Sequence, residues 1–289
     1  MKKAHLKSMF GTIKEPVIKF SLSEISLKAQ EMIGKLSISG VQPKLSMILD
    51  KKKSELVPVA EGGEYILKPQ THFPHLPENE QCCMDIAQDL GIDVPGHCLL
   101  KLNDGSFVYI VKRFDRQGKR KIHQEDFGQI LGKKKYDGSA EQIGRVLKNI
   151  SAVPGLDVQL LFERIVLNFL IGNGDAHLKN FSVNYDQAGQ IRLSPAYDIV
   201  CSKLVIPDEE DSALTINGKK NNLLRKDFDA LADYLKIPFK VRYEKFVKKA
   251  EQFKVFIYAS KLEPKGQEKF VAIVEERYLR MDLIQGHNT

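Results

Sequence analysis

Residues 181–195, FSVNYDQAGQIRLSP, constrain the fold most, because they predict a β hairpin within a half of the chain where helical periods dominate. Two alternating stretches flank an Asp-Gln-Ala-Gly turn at residues 186–189, which is typical of two antiparallel strands. A hairpin folded at this turn brings its open ends together, so Asn180 should lie near the segment that follows Leu193. Asp198 belongs to that segment, and we therefore expect it close to Asn180.

The polar side chains at the open end of this hairpin are of the kinds that hold metal ions and accept protons. Asn180 and Asp198 supply hard oxygen ligands suited to Mg²⁺, while Asp175, five positions before Asn180, is free to accept a proton. Protein kinases use the same spacing between a base Asp and a metal-binding Asn, with a second metal-binding Asp further on. The alternative is that Asp175 and Asn180 only cap the loop after a helix that ends at Gly172.

The rest of the chain divides by its hydrophobic period. Before Phe114 the pattern is mainly that of short antiparallel strands, interrupted by one helix in residues 77–91. Beyond Phe114 helical periods dominate, apart from the hairpin. We therefore predict an α+β fold of two lobes, with a β-rich N-lobe at residues 1–112 and a helical C-lobe at residues 113–289. The predicted strands are residues 45–50, 55–60, 64–69, 97–102 and 107–114, and the predicted C-lobe helices are residues 139–150, 158–172, 225–236, 242–260 and 266–281.

The β-rich half contains basic residues in positions that suit nucleotide phosphates. Lys68 closes the strand at residues 64–69, as the phosphate-orienting lysine of kinases does, and Glu80 on the inward face of the following helix is its expected partner. Lys44 follows small residues and a glycine whose exposed backbone N–H groups could approach phosphates. The alternatives are an exposed lysine at a strand end for Lys68 and an ordinary turn around Lys44. Lys44, Lys68 and the loop at residues 175–180 follow one another along the chain in the order expected of a kinase, and together they favour ATP-dependent phosphotransfer.

Composition limits the class of protein. Hydrophobic residues make up 43% of the 289 residues, and no stretch approaches the eighteen or so consecutive apolar residues of a membrane helix. The basic N-terminus lacks the apolar core of a signal peptide, so we expect a soluble cytoplasmic protein with no membrane partner. The four cysteines form no CxxC pair, which favours reduced thiols. The net charge of +7 suits nucleic acid or an anionic ligand, but the lysines lie in short scattered clusters, such as Lys51–Lys53 and Lys133–Lys135, which are more typical of solvated loops than of a nucleic-acid surface.

Several motifs together resemble the HipA family of serine/threonine kinase toxins, over about residues 30–260. They are SISGVQPK at 37–44, YILKP at 65–69, VKRFDR at 111–116 with IHQED at 122–126, GNGDAHLKNFS at 172–182 and SPAYDIV at 194–200. The resemblance implies a two-lobed HipA-like protein kinase fold, with ATP and Mg²⁺ as cofactors.

The resemblance also implies a role for individual residues. It makes Asp175 the catalytic base and Asn180 and Asp198 the magnesium ligands, with His177 and Lys179 as further catalytic-loop residues. His177 has a packed structural role as its alternative, and which group of this loop steadies the transferred phosphoryl stays open. The implied ATP-binding residues are Lys44, Lys68, Lys112, Phe114 and Asp115.

Within the family the chain is most similar to the short HipT toxins of HipBST toxin–antitoxin systems, because only about 36 residues precede Ser37. This likeness implies a HipS-like small antitoxin, a HipB-like DNA-binding protein, and contact with DNA only through the complex. The implied substrate is an aminoacyl-tRNA synthetase, glutamyl for HipA and tryptophanyl for HipT, whose phosphorylation would inhibit translation.

Self-phosphorylation is a further expectation from the family. Ser37 aligns with the regulatory serine, and Ser39 is a second acceptor. A phosphate adds about −1.5 to −2 charges near the position of ATP's own phosphates, so modification should inactivate the enzyme. Two alternatives to a protein kinase remain: a nucleotide-binding regulatory module of a DNA-bound complex, and a small-molecule kinase.

Overall fold

Residues 3–25, 27, 44–118 and 120–284 are described by a computed structural model. The chain divides into two units, Met1–Gln81 with Pro95–Lys121 and Cys82–Val94 with Ile122–Thr289. The predicted lobe boundary between residues 112 and 113 stays a prediction. All four cysteines are buried and free, as expected of reduced thiols.

Within the described part of the first unit, five strands form an antiparallel sheet. They are β1 Leu45–Asp50, β2 Glu55–Pro58, β3 Tyr65–Pro69, β4 His97–Lys101 and β5 Phe107–Lys112. Their order across the sheet is β2-β1-β3-β5-β4. Leu45 pairs with Leu67, and Leu67 pairs with Ile110, so apolar side chains lie side by side across the centre of the sheet. The sheet confirms the strands predicted from alternation.

Helix α1, Lys3–Phe10, also belongs to the first unit and was not predicted from the sequence. It buries Leu6, Met9 and Phe10 in the same core as the sheet, and the Tyr65 hydroxyl donates to the Met9 carbonyl at 3.0 Å. Its eight residues carry only one turn of apolar spacing among lysines, too little to distinguish a helix from a basic tail. Two short strands, β6 Arg116–Gln117 and β7 Arg120–Lys121, also lie in this unit.

Helix α2, Leu76–Asp89, confirms the helix predicted after β3, and Gly91 follows it with φ +72°. Its residues up to Gln81 belong to the first unit and the remainder to the second. None of the helices in the described part of the chain combines the length and the apolar character needed to cross a membrane.

The second unit is mainly helical, as predicted. The prediction of one continuous helix over residues 242–260 is wrong. This segment contains two helices, with the non-helical residue Lys249 between them. The helices are α3 Phe127–Leu131, α4 Ala140–Ile150, α5 Pro154–Leu170, α6 Arg225–Leu235, α7 Glu244–Lys248, α8 Ala250–Ala259 and α9 Pro264–Arg280.

The predicted hairpin is confirmed as β9, Ser182–Tyr185, and β10, Ile191–Leu193, with Val183 opposite Leu193. A strand that the sequence did not predict, β8, His123–Asp126, pairs with the other side of β9. Its residues, His-Gln-Glu-Asp, have no alternation of apolar and polar side chains, so no period-2 pattern marks them.

Asp157 fixes the hairpin to the helical part of the second unit. Its fully buried carboxylate accepts hydrogen bonds from the Ser151 hydroxyl at 2.6 Å, the Leu193 N–H at 2.9 Å and the Arg192 guanidinium at 2.9 Å. Burial alone would raise the pKa of this carboxyl, but the hydrogen bonds from Arg192, Ser151 and Leu193 lower it below its ordinary value. The first turn of α5 therefore positions the strand that leads to Asp198.

We expect Asp157→Asn to lower the free energy of unfolding by about 2 kcal/mol at pH 7, because it removes a charged acceptor from three donors. A lowered folded-state pKa contributes stability above the unfolded pKa, and this contribution is lost as pH falls through the folded value. In denaturant titrations the difference from the unsubstituted protein should therefore stay constant from pH 7 down to about pH 5 and shrink only as pH falls below the unfolded pKa of about 4. The exposed Asp208, changed to asparagine, is the control; a pH-independent deficit for Asp157→Asn would contradict the assignment.

Candidate active site

The loop between α5 and β9 carries the candidate catalytic residues, and its backbone is fixed at several points. Gly172, with φ +71°, turns the chain out of the helix, and the Asn173 N–H still donates to the Asn168 carbonyl at 2.8 Å. The Gly174 N–H donates to the Ser202 hydroxyl oxygen at 2.9 Å. A 3-10 turn, Leu178–Asn180, leads into the hairpin. These contacts connect the loop to the end of α5 and to Ser202.

The structure brings Asn180 and Asp198 together, as the hairpin argument predicts. Asn180 Nδ2 lies 3.5 Å from Asp198 Oδ2, and Asn180 Oδ1 accepts the His177 N–H at 3.0 Å. Asp198 has φ +55°, a left-handed conformation that is uncommon for a residue other than glycine. Strain of this kind is concentrated at functional sites, because the surrounding structure must hold it in place.

This pair fits a magnesium ion by its chemistry. Each side chain carries an oxygen atom that could bind Mg²⁺, although Asn180 turns Nδ2 rather than Oδ1 toward Asp198. Both side chains are half-buried, and Mg²⁺ is commonly held by one or two protein ligands together with waters and substrate phosphates. Among the described residues, no cluster of three or more His, Cys, Asp or Glu side chains could hold a metal ion without such additional ligands. The role of Asn180 and Asp198 as metal ligands stays a prediction.

Asp175 lies half-buried on the same loop, and its carboxylate has a partner that the sequence did not predict. The Tyr136 hydroxyl donates to Asp175 Oδ1 at 2.7 Å, while the Asp175 carbonyl accepts the His177 N–H at 2.8 Å. Tyr136 directly follows Lys133–Lys135, a run interpreted above as a solvated cluster. Only the folded chain places this tyrosine against the candidate base.

His177 and Lys179 differ in charge at neutral pH. Burial lowers the pKa of the half-buried His177, and the nearby Lys135 ammonium lowers it further, against the opposite effect of Asp175. His177 is therefore neutral at pH 7, whereas Lys179 is an exposed lysine. This difference favours Lys179 over His177 as the residue of the loop that could offset phosphoryl charge.

In the first unit, Lys68 and Glu80 form a buried ion pair. Lys68 is 4% exposed and Glu80 3% exposed, and the ammonium donates to Glu80 Oε1. The predicted pairing is confirmed, and the alternative of an exposed strand-end lysine is wrong. Lys44 is half-buried directly before β1, one register step beyond the Leu45–Leu67 pair and therefore opposite Lys68. The proposed contacts of both lysines with nucleotide stay predictions.

The remaining predicted residues of the first unit lie at the end of β5 and just after it. Lys112 is exposed and Phe114 is half-buried. Asp115 is engaged by Arg113 Nη2 at 2.7 Å and by Arg116 Nη1 at 2.5 Å. Burial raises the pKa of Asp115, but these arginines lower it below its ordinary value overall. Its carboxylate is therefore an anion held by two guanidinium groups, and a role in ATP binding stays a prediction.

Ser37 and Ser39, the expected autophosphorylation sites, lie outside the described residues.

Gly174 is required by the close packing beneath the loop. A Cβ at this position would lie 2.6 Å from the Glu209 carboxyl carbon and would overlap the Glu210 carbonyl oxygen. Burial, together with the negative charge of Asp175, raises the pKa of Glu209, whose carboxyl accepts the Ser202 hydroxyl. The loop therefore lies directly on this pair, with no room for a side chain between them.

We expect Gly174→Ala to lower the free energy of unfolding by about 2 kcal/mol, because the loop or the Glu209–Glu210 backbone must move. A displacement of the loop by about 1 Å should also lower phosphotransfer by about 100-fold. Gly155→Ala is the matched control, since a Cβ there meets no atom within 4 Å and alanine is the better helix former in α5. Equal stability and activity of the two variants would contradict the packing argument.

The sequence and the structure both match known proteins. Residues 36–256 match the family model described as HipA-like C-terminal domain. A Haemophilus influenzae protein named only as a kinase is 36% identical over 202 residues, which are 64% of this chain and 58% of that protein. The serine/threonine-protein kinase toxin HipA of Shewanella oneidensis is 27% identical over 230 residues, 71% of this chain and 52% of that protein. The chain spans about half the length of the curated relatives that it matches.

The fold likeness extends further along the chain. The Shewanella oneidensis HipA in the structure of the HipA, HipB and operator DNA complex superposes with a TM-score of 0.70 at 22% identity, over 86% of this chain and 65% of that one. The predicted fold class, α+β with a HipA-like protein kinase fold, is confirmed by this likeness.

Proposed function

Because the chain belongs to the family with a HipA-like C-terminal domain, we propose that it is an ATP-dependent serine/threonine protein kinase. Relatives named as kinases, including a HipA toxin, support this choice. The observation that carries it is the approach of Asn180 to Asp198 at 3.5 Å, at the end of the loop on which Asp175 lies five residues earlier. This is the order and the spacing of a kinase catalytic loop followed by its second metal-binding Asp.

In this proposal Asp175 is the general base. Its carboxylate accepts the proton of a serine or threonine hydroxyl as the hydroxyl oxygen attacks the γ-phosphorus and the bond to ADP breaks. Lys179, exposed and charged, offsets the negative charge of the transferred phosphoryl, whereas the neutral His177 holds the loop through its packing. Asn180 and Asp198 would hold Mg²⁺, which supplies positive charge to the nucleotide phosphates.

Residues of the first unit bind the nucleotide in this proposal. Lys68 contacts the phosphates as a point charge, and Glu80 holds its ammonium in place. Lys44, opposite Lys68 in the sheet register, provides a second cation. Lys112, Phe114 and Asp115 line the adenine and ribose site.

The finer part of the proposal is a toxin of the HipT type in a HipBST-like system. The partners would be a HipS-like antitoxin and a HipB-like protein that contacts DNA, and the Shewanella oneidensis relative is known in a complex with HipB and operator DNA. The acceptor would be an aminoacyl-tRNA synthetase, tryptophanyl by the HipT likeness, and Ser37 or Ser39 would be the site of self-inactivation. The protein would act in the cytoplasm.

Transfer of label from γ-labelled ATP tests the proposal. The chain with Mg²⁺ and a cell lysate should label one protein on serine or threonine, in the size range of an aminoacyl-tRNA synthetase. Label on a metabolite would favour a small-molecule kinase. No label, together with steeply salt-dependent binding of DNA by the isolated chain, would favour the regulatory module for which the charge of +7 argues. Mass spectrometry of the chain itself would show whether Ser37 and Ser39 are modified.

A further inference from the structure

Tyr136 is the residue next to the candidate base to which neither the sequence motifs nor the proposed chemistry gives a role. It lies between α3 and α4, 39 positions before Asp175, and its hydroxyl donates to Asp175 Oδ1 at 2.7 Å. A hydrogen bond of this length to a carboxylate is short and charge-assisted. The side chain is 41% exposed, so it lies at the surface where an acceptor would approach Asp175.

Several contacts hold Tyr136 in this position. The His177 ring meets its ring edge-on, with centroids 5.4 Å apart, and the Lys135 ammonium lies 4.4 Å from its centroid. Its own carbonyl accepts from the Lys220 ammonium at 3.3 Å, and the preceding carbonyl of Lys135 accepts the Leu178 N–H at 3.0 Å. The tyrosine is therefore attached to the catalytic loop through both backbone and ring before any ligand arrives, which is the arrangement expected of a preorganised site.

The hydrogen bond from Tyr136 makes the two oxygens of the Asp175 carboxylate inequivalent. Oδ1 accepts the phenol, while Oδ2 has no hydrogen-bond donor among the residues that the structure describes. Burial and the neighbouring Asp175 raise the pKa of the Tyr136 phenol above its ordinary value, against the effect of Lys135, so it remains a donor at neutral pH. A carboxylate whose one oxygen is held in this way presents the other in a fixed direction.

An open cleft of about 280 Å³ begins at the ring of Tyr136. Its walls include Lys133, Gln142, Thr215 and Lys220, all from the second unit. The Tyr136 ring thus forms part of the cleft wall, while its hydroxyl is hydrogen-bonded to the candidate base, Asp175. This is the position of a residue that aligns an incoming chain with the group that deprotonates it.

We propose that Tyr136 is a positioning residue for the acceptor hydroxyl: it fixes Asp175 through Oδ1, so that Oδ2 accepts the proton, while its ring guides the acceptor chain. This inference rests on the proposed kinase function and adds a residue to that same site.

Tyr136→Phe, which keeps the ring and removes only the hydroxyl, tests the inference. We expect kcat for the protein acceptor to fall about 10- to 100-fold, because a hydrogen bond to a charged group is lost. KM for ATP and KM for the acceptor should stay within about twofold, because the ring and the cleft remain. Tyr136→Ala should in addition raise KM for the acceptor by about tenfold or more, since the guiding ring is gone. Tyr258→Phe, at an exposed tyrosine of α8, should match the unsubstituted protein.

A second measurement does not depend on turnover. In protein with ¹³C-labelled tyrosine, Asp175→Asn should shift one tyrosine resonance, and Tyr136→Phe should remove that same resonance. A resonance that does not respond, or a kcat for Tyr136→Phe equal to that of the unsubstituted protein, would overturn the inference and leave the kinase proposal in place. Phosphate on Tyr136 after incubation with ATP would also overturn it, since the tyrosine would then be an acceptor. Absence of any transfer by the unsubstituted protein would instead overturn the proposed function, and the inference with it.

Discussion

Asp175→Asn should lower phosphotransfer to a protein acceptor by about three orders of magnitude while the fold stays intact, because it removes the general base and keeps its shape. The amide oxygen of asparagine can still accept the Tyr136 hydroxyl, so the contact now 2.7 Å long survives the change. The Asp175 carbonyl, which accepts the His177 N–H, is not altered. Single-turnover transfer from γ-labelled ATP measures the effect on chemistry, and nucleotide binding should change little because Asp175 is not one of the proposed ATP or metal ligands.

The matched control is Asp208→Asn, the same change at an exposed aspartate of the same unit. Its transfer rate should equal that of the unsubstituted protein. If Asp175→Asn lost tenfold or less, Asp175 would not be the general base, and the interpretation of this loop as a cap after α5 would gain support. Loss of cooperative unfolding in Asp175→Asn would mean instead that the carboxylate is structural.

The sequence predicted those parts of the site that are local in the chain. The turn at residues 186–189 sets the register of β9 and β10, and that register brings the side chain of Asn180 to 3.5 Å from Asp198. The pairing of Lys68 with Glu80 follows from a strand and a helix only 12 positions apart. In both cases the contact lies within a single hairpin or a single strand–helix connection. The hydrophobic period and the turn residues of that segment are then enough to predict the contact.

Contacts between distant and unpatterned segments could not be predicted in this way. Tyr136 and Asp175 lie 39 positions apart, both in loops, and no hydrophobic period relates one to the other. The strand β8 forms because β9 provides a free edge, although its own side chains are polar. The restriction at Gly174 depends on Glu209 and Glu210, which lie 35 and 36 positions later in the chain. Each of these features is a property of the assembled unit.

Lys68→Met should lower the free energy of unfolding by about 3–5 kcal/mol, the largest stability effect that we expect, because Glu80 would stay buried without its cation. The double variant Lys68→Met with Glu80→Gln should recover most of this loss, since neither side chain then carries a charge into the core of the first unit. Lys51→Met, at an exposed lysine of the turn after β1, is the control and should be neutral. Denaturant titration of the three variants measures these differences.

The same double variant separates the structural role of the pair from its proposed role in catalysis. If Lys68 contacts the nucleotide phosphates, restored stability should not restore phosphotransfer, because methionine offers no charge to ATP. We therefore expect the double variant to fold as the unsubstituted protein does and to stay at least about 100-fold less active, with weaker binding of ATP. Recovery of activity together with stability would show that the buried pair only holds β3 against α2, and the nucleotide would then depend on Lys44 or another cation of the first unit.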